Sequence, residues 1–202
     1  PLTTTLPLPP ANANSRRRSL GAFALDADEM AQFNALLAVI NTAAPHIEAD
    51  QVLTLARWLQ DKPRDLASAL LAEPLGRAEM LQSMLQDRDW DAPGELRQRA
   101  SLLLDYVRRD DDLIPDTVPL LGKLDDALLV ELSWQAFAGE AQDYQDYCHY
   151  RSTFHPRGTP TERRLAWETD VLTQANSLLE RRRQRGAHYA DPYAHTALLR
   201  VC

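Results

Sequence analysis

Apolar residues recur every three or four positions along most of the chain, a spacing that predicts helices. Strand-like alternation of apolar and polar residues never persists for more than a few positions. The predicted helices cover residues 26–44, 48–61, 63–73, 74–86, 95–109, 127–137 and 161–185. The pattern therefore predicts an all-α fold, a single-domain bundle of about six to eight helices.

Prolines interrupt the helical pattern between residues 110 and 126, a segment called the elbow below. Pro115 and Pro119 lack a backbone N–H and push the residue before them out of the α region, so no continuous helix passes through them. Gly122 gives the backbone new freedom after the second proline. Asp125 and Asp126 then fall where a helix should begin, because unpaired N–H groups there favour carboxylates.

The helix that follows the elbow is apolar around most of its circumference. From residue 127 to 137 only Glu131, Ser133 and Gln135 are polar. A helix of this composition is expected in the centre of the core. The elbow therefore leads directly into the most buried helix of the predicted bundle.

Composition changes around this helical region define three parts of the chain. Residues 1–25 are rich in threonine, proline and asparagine and contain Arg16-Arg17-Arg18, which predicts a flexible leader. Residues 26–186 form the predicted helical domain. Residues 187–202 follow Gly186 and are predicted to be a C-terminal tail.

The overall charge restricts the classes of partner. The 202-residue chain has a net charge of −7, which argues against general nucleic-acid binding because that function needs a basic surface. No apolar run reaches the roughly 18 to 20 residues that span a bilayer. Only Cys148 and Cys202 are present, too few for a disulfide framework, so a cytoplasmic location is expected.

The elbow is the strongest candidate for chemistry because acids are concentrated there. Residues 105–126 contain seven aspartates against three basic residues. Hard cations such as Mg²⁺ or Ca²⁺ bind clustered carboxylate oxygens. The residues proposed as metal ligands are Asp112, Asp116, Asp125 and Asp126.

Two other interpretations of these acids remain open. The carboxylates could cap a helix and bond backbone amides in the proline turns. They could also pair with arginines of residues 151–185, where eight arginines stand against four acids. Cys148, His149 and His155 are too few to make a zinc site. The chain has no glycine-rich phosphate loop and no hydrolase motif, so no organic cofactor is expected.

The elbow also carries a recognisable motif. Residues 112–126 read D-L-I-P-D-x-x-P-x-x-G-x-x-D-D, which resembles the signature of the YkvA-like proteins, a bacterial family without a settled activity. The resemblance extends over residues 96–138 and implies structural roles for Pro115, Pro119 and Gly122. The family usually has a proline and a small apolar run before the first aspartate, whereas Arg108-Arg109-Asp110-Asp111 stand here.

These observations lead to two functional hypotheses. The first is a non-enzymatic interaction or scaffold module, whose partner is a protein or, as the family's hydrophobic context suggests, the periphery of a membrane. The alternative is a divalent-metal-dependent hydrolase that uses the elbow carboxylates. Helical metal enzymes usually add histidine or glutamate ligands, and no histidine lies between Ile47 and Cys148. The sequence leaves the oligomeric state open.

Overall fold

A computed structural model describes residues 6–10, 19–20, 23–109, 113–115 and 117–188. Within these ranges the chain forms two very short strands, seven α-helices and one 3₁₀ turn. The elements are β1 Ser19–Leu20, β2 Phe23–Ala24, α1 Ala27–Ile40, α2 Ala49–Gln60, α3 Arg64–Gln86, α4 Gly94–Val107, α5 Leu124–Ser133, the 3₁₀ turn Trp134–Ala136, α6 Ala138–Phe154 and α7 Pro160–His188. The prediction of an all-α bundle of six to eight helices is confirmed.

The chain divides into two compact units, Pro1–Asp146 and Tyr147–Cys202. In the first unit α5 is the central helix, and it packs against α1, α3 and α4. All residues from Leu124 to Val130 are buried. The prediction of a buried helix directly after the elbow is confirmed.

Helix α3 corrects one boundary. We expected Pro74 to start a new helix, but α3 runs without interruption from Arg64 to Gln86 with Pro74 inside it. An internal proline removes one backbone hydrogen bond and costs a helix about 3 kcal/mol. Pro74 is buried, and α3 has extensive contacts with α5. Tertiary packing therefore offsets the local cost of the proline. The sequence pattern gives no information about this packing.

Parts of the predicted leader pack within the first unit. Leu6 is fully buried, and the Gln51 side chain donates a hydrogen bond of 2.7 Å to the Pro9 carbonyl. β1 and β2 form a small antiparallel pair in whose backbone register Leu20 is the partner of Phe23. Leader residues 1–5, 11–18 and 21–22 and residues 189–202 of the predicted tail lie outside the described ranges.

The second unit contains the end of α6 and the long helix α7. Tyr147 and the buried Trp167 meet edge to face, with ring centroids 5.7 Å apart. Thr159 caps α7: its hydroxyl accepts the Glu162 N–H, and the Glu162 carboxylate accepts the Thr159 N–H at 2.7 Å. The sequence pattern predicted a helix from residue 161, but α7 begins one position earlier at Pro160, because proline fits well in the first helical turn.

No helix in the described parts of either unit has the length and apolar character needed to cross a bilayer.

Candidate functional site

The elbow is a series of tight turns between α4 and α5. The Val118 N–H donates to the Pro115 carbonyl and the Gly122 N–H donates to the Val118 carbonyl, both at 2.9 Å. A further bond of 2.8 Å joins the Leu124 N–H to the Leu121 carbonyl. The described backbone of the elbow thus pairs many of its polar groups locally without forming a helix.

Aliphatic side chains anchor the elbow in the core. Leu113, Ile114 and Leu121 are all almost completely buried. Leu120 adopts a left-handed backbone conformation with φ of 68°, which is unfavourable for a residue with a branched side chain. Of the residues given structural roles by the motif, Gly122 is buried, Pro115 is half-buried and Pro119 is exposed.

Asp125 fastens the elbow to α4. Its Oδ2 atom accepts a hydrogen bond of 2.8 Å from the Tyr106 hydroxyl and one of 3.2 Å from the Ile114 N–H. The same hydroxyl accepts the Leu113 N–H at 3.3 Å. One carboxylate and one phenol therefore bind two consecutive backbone amides of the motif.

The charge of this buried carboxylate is unfavourable. Asp125 and Asp126 are both 0% exposed. The pKa of Asp125 is raised from 3.8 to about 6, chiefly by burial and in smaller part by the charge of the neighbouring Asp126, while the hydrogen bonds from Tyr106 and Ile114 oppose the increase. Lys123 partly compensates the charge, since its Nζ lies 3.1 Å from Asp126 Oδ2.

The structure brings together two of the four proposed metal ligands. Asp125 and Asp126 lie side by side at the start of α5, but Asp125 Oδ2 already accepts two hydrogen bonds. Asp112 and Asp116 lie outside the described residues. In the described part of the chain, no three histidine, cysteine, aspartate or glutamate residues are grouped so that they could hold a metal ion. The four-carboxylate site therefore stays a prediction.

Sequence reasoning missed Tyr106, the partner of Asp125. Tyr106 follows Leu103 by three positions and so lies on the apolar stripe of α4, which was the available signal. Its ring also meets Phe33 edge to face, with centroids 5.7 Å apart. An apolar stripe gives no indication that a hydroxyl on it will bind a carboxylate 19 residues later.

A second buried polar group joins α3 to α5. The Arg77 guanidinium lies 2.9 Å from the Glu131 carboxylate and 3.0 Å from that of Glu73. It also stacks over the Trp134 ring at 5.3 Å. The Glu131 side chain is only 8% exposed, so this ion pair belongs to the core.

A pocket of about 380 Å³ lies between α1 and α4 beside the elbow. Phe33 and Tyr106 contribute aromatic surface to it, and Glu29, Asp105 and Arg109 contribute charges of both signs. Its volume is in the range that accommodates a small organic molecule. The mixed charges favour no single class of ligand.

Helix α7 presents a different kind of candidate surface. Five large apolar side chains of this helix are between 45% and 65% exposed. They are Leu165, Val171, Leu172, Leu178 and Leu179, called the apolar face of α7 below. Among the described residues, they make up more than half of the exposed large hydrophobic side chains. A concentration of this kind on one element is a candidate interaction surface.

Comparisons with protein-family models, with curated proteins and with solved structures gave no match to this chain.

Proposed function

We propose that this chain is a non-catalytic interaction module, similar to the YkvA-like proteins, that binds a protein partner through the apolar face of α7. The acidic elbow has a structural role in this proposal. The observation that carries the proposal is the exposure of five large apolar side chains on one helix.

Solvent exposure of these side chains is costly. Covering a leucine side chain is worth roughly 1.5 to 3 kcal/mol. Leu172 and Leu165 are 65% and 61% exposed, so most of their surface is available to a partner. Binding of a partner over this face would recover that free energy and give the exposed leucines a function.

The polar groups of the elbow support a structural role. Asp125 and Tyr106 together bind the backbone amides of Leu113 and Ile114. Buried groups that are used in this way hold one segment against another. In this proposal, the residues of the YkvA-like motif hold α4 and α5 together.

A protein partner fits the charge better than an anionic membrane does. The chain as a whole carries a net charge of −7, which anionic lipid repels, although residues 151–185 carry four more arginines than acids. Glu168 also lies on the apolar side of α7, three residues after Leu165 and four before Leu172, and pairs with Arg164 at 3.1 Å. We also propose a cytoplasmic location, because two cysteines are too few for the disulfide framework of a small secreted protein.

Site-specific photo-crosslinking in cells that naturally produce the protein tests this proposal. A photoreactive residue at position 172 should form adducts with a protein. The same residue at Thr173 is a matched control, because this exposed position is one step along the helix and points in a different direction. Absence of adducts from position 172, or equal adducts from both positions, would refute the proposed contact surface.

A further inference from the structure

Three exposed leucines of α7 recur every seven residues, a spacing typical of helices that pair with another helix. Resting on the function proposed above, we infer that the apolar face of α7 binds the same face of a second copy of this chain. The two α7 helices run antiparallel, and the two-fold axis passes close to Leu172.

The spacing of the leucines supports a self-complementary pair. Leu165, Leu172 and Leu179 are separated by seven residues each, so they form one row along α7. With a rise of 1.5 Å per residue, Leu165 and Leu179 each lie about 10 Å from Leu172. Rotation about an axis at Leu172 therefore places Leu165 of one copy opposite Leu179 of the other. A symmetric dimer needs only one such patch.

The second row of apolar residues widens the contact. Val171 and Leu178 precede Leu172 and Leu179 by one position and are also separated by seven residues. They are 45% and 58% exposed. Together the two rows give a face broad enough for helix-to-helix packing instead of a single narrow seam.

Charge along α7 selects the antiparallel arrangement. Residues 160–173 contain three acids against two arginines, whereas residues 174–183 contain one acid against three arginines. Parallel helices would place the two basic ends together. Antiparallel helices place each basic end opposite the acidic end of the other copy, which is favourable.

The same helix is poorly suited to lie in a lipid surface. Glu168 lies on the side of the helix that carries Leu165 and Leu172, and its side chain is 47% exposed. A carboxylate in that position would enter the lipid together with the leucines, at a high desolvation cost. In the helix pair, Glu168 lies between the two apolar rows and keeps its ion pair with Arg164, 3.1 Å away.

Analytical ultracentrifugation of the full chain tests the association. We expect a reversible dimer at concentrations between about 1 and 100 µM. Leu172→Glu should raise the dissociation constant at least about 30-fold, as expected for a charge placed in the centre of an interface. Thr173→Glu adds the same charge beside this face and should leave the constant within about threefold of the parent value. Both positions are exposed, so circular dichroism should show unchanged helix content.

Disulfide trapping tests the orientation. Cys148 and Cys202 are replaced by serine, and single cysteines are introduced at Leu165, Leu172 or Leu179. Diamide then oxidises two thiols to one disulfide only where the two Cα atoms can come within about 7 Å. The antiparallel dimer predicts efficient trapping for Leu172→Cys alone. A parallel dimer would trap all three variants.

The outcomes separate this inference from the proposed function. If the chain is a monomer at all concentrations, its partner is not a second copy of itself. Equal trapping at all three positions would refute the antiparallel arrangement. A monomer that still forms photo-adducts from position 172 with a different protein, or that binds anionic vesicles through Leu172, overturns only the identity of the partner. A monomer without any adduct refutes the contact surface itself.

Discussion

The buried carboxylate of Asp125 should make the stability of the fold decrease as the pH rises from 4 to 7. Burial raises its pKa from the ordinary value of 3.8 to about 6 in the folded chain. The folded chain therefore binds a proton more tightly than the unfolded chain does. The free energy of unfolding has its full value below pH 3.8 and decreases as the pH rises through 6.

The expected size of this effect follows from the two pKa values. Each pH unit between them is worth about 1.4 kcal/mol, so the loss is on the order of 3 kcal/mol when Asp125 is fully ionised. A typical domain has only about 5 to 15 kcal/mol of stability. The decrease should therefore be visible in equilibrium denaturation.

Urea denaturation of the parent and of Asp125→Asn, followed by circular dichroism from pH 4 to pH 8, measures this contribution. The amide keeps an oxygen that can accept the Tyr106 and Ile114 hydrogen bonds but does not ionise. Relative to the parent, the variant should gain roughly 2 to 2.5 kcal/mol between pH 4 and pH 7. Asp143→Asn is the control, since Asp143 is exposed. A constant difference between parent and Asp125→Asn at all pH values would refute this assignment.

Two further substitutions test the buried polar contacts. Tyr106→Phe removes the hydroxyl that donates to Asp125, so urea denaturation at pH 7 should show that the free energy of unfolding falls by about 2 to 3 kcal/mol. A decrease below about 0.5 kcal/mol would contradict the hydrogen bond. Arg77→Met leaves the Glu131 carboxylate buried without its cation and should cost about 3 to 5 kcal/mol, whereas the double variant Arg77→Met/Glu131→Met should recover much of that loss. Additive effects in this double-mutant cycle would show that the two side chains are not coupled.

The sequence was sufficient for features that depend on local spacing. The periodicity of apolar residues predicted an all-α fold, and the almost continuous apolar run after Asp126 predicted the central helix α5. Both predictions depend on the positions of the apolar residues, which become buried on folding. A short window of sequence contains this information.

The features that the sequence did not predict depend on distant contacts. Pro74 lies inside α3 because packing outweighs its local preference, and Leu120 takes the left-handed conformation within an elbow anchored by its neighbours. Tyr106 binds Asp125 across 19 residues, and Arg77 binds Glu131 across 54. No local pattern specifies such pairs, because the fold brings them together.

Calorimetric titration with Mg²⁺, Mn²⁺ and Ca²⁺ distinguishes most directly between a structural elbow and a metal-dependent enzyme. The parent chain is compared with the double variant Asp112→Asn/Asp116→Asn, and circular dichroism confirms that both are folded. If the elbow carboxylates serve the fold, neither protein should show binding in the micromolar range. Micromolar binding by the parent that disappears in the double variant would contradict the structural role and favour the hydrolase.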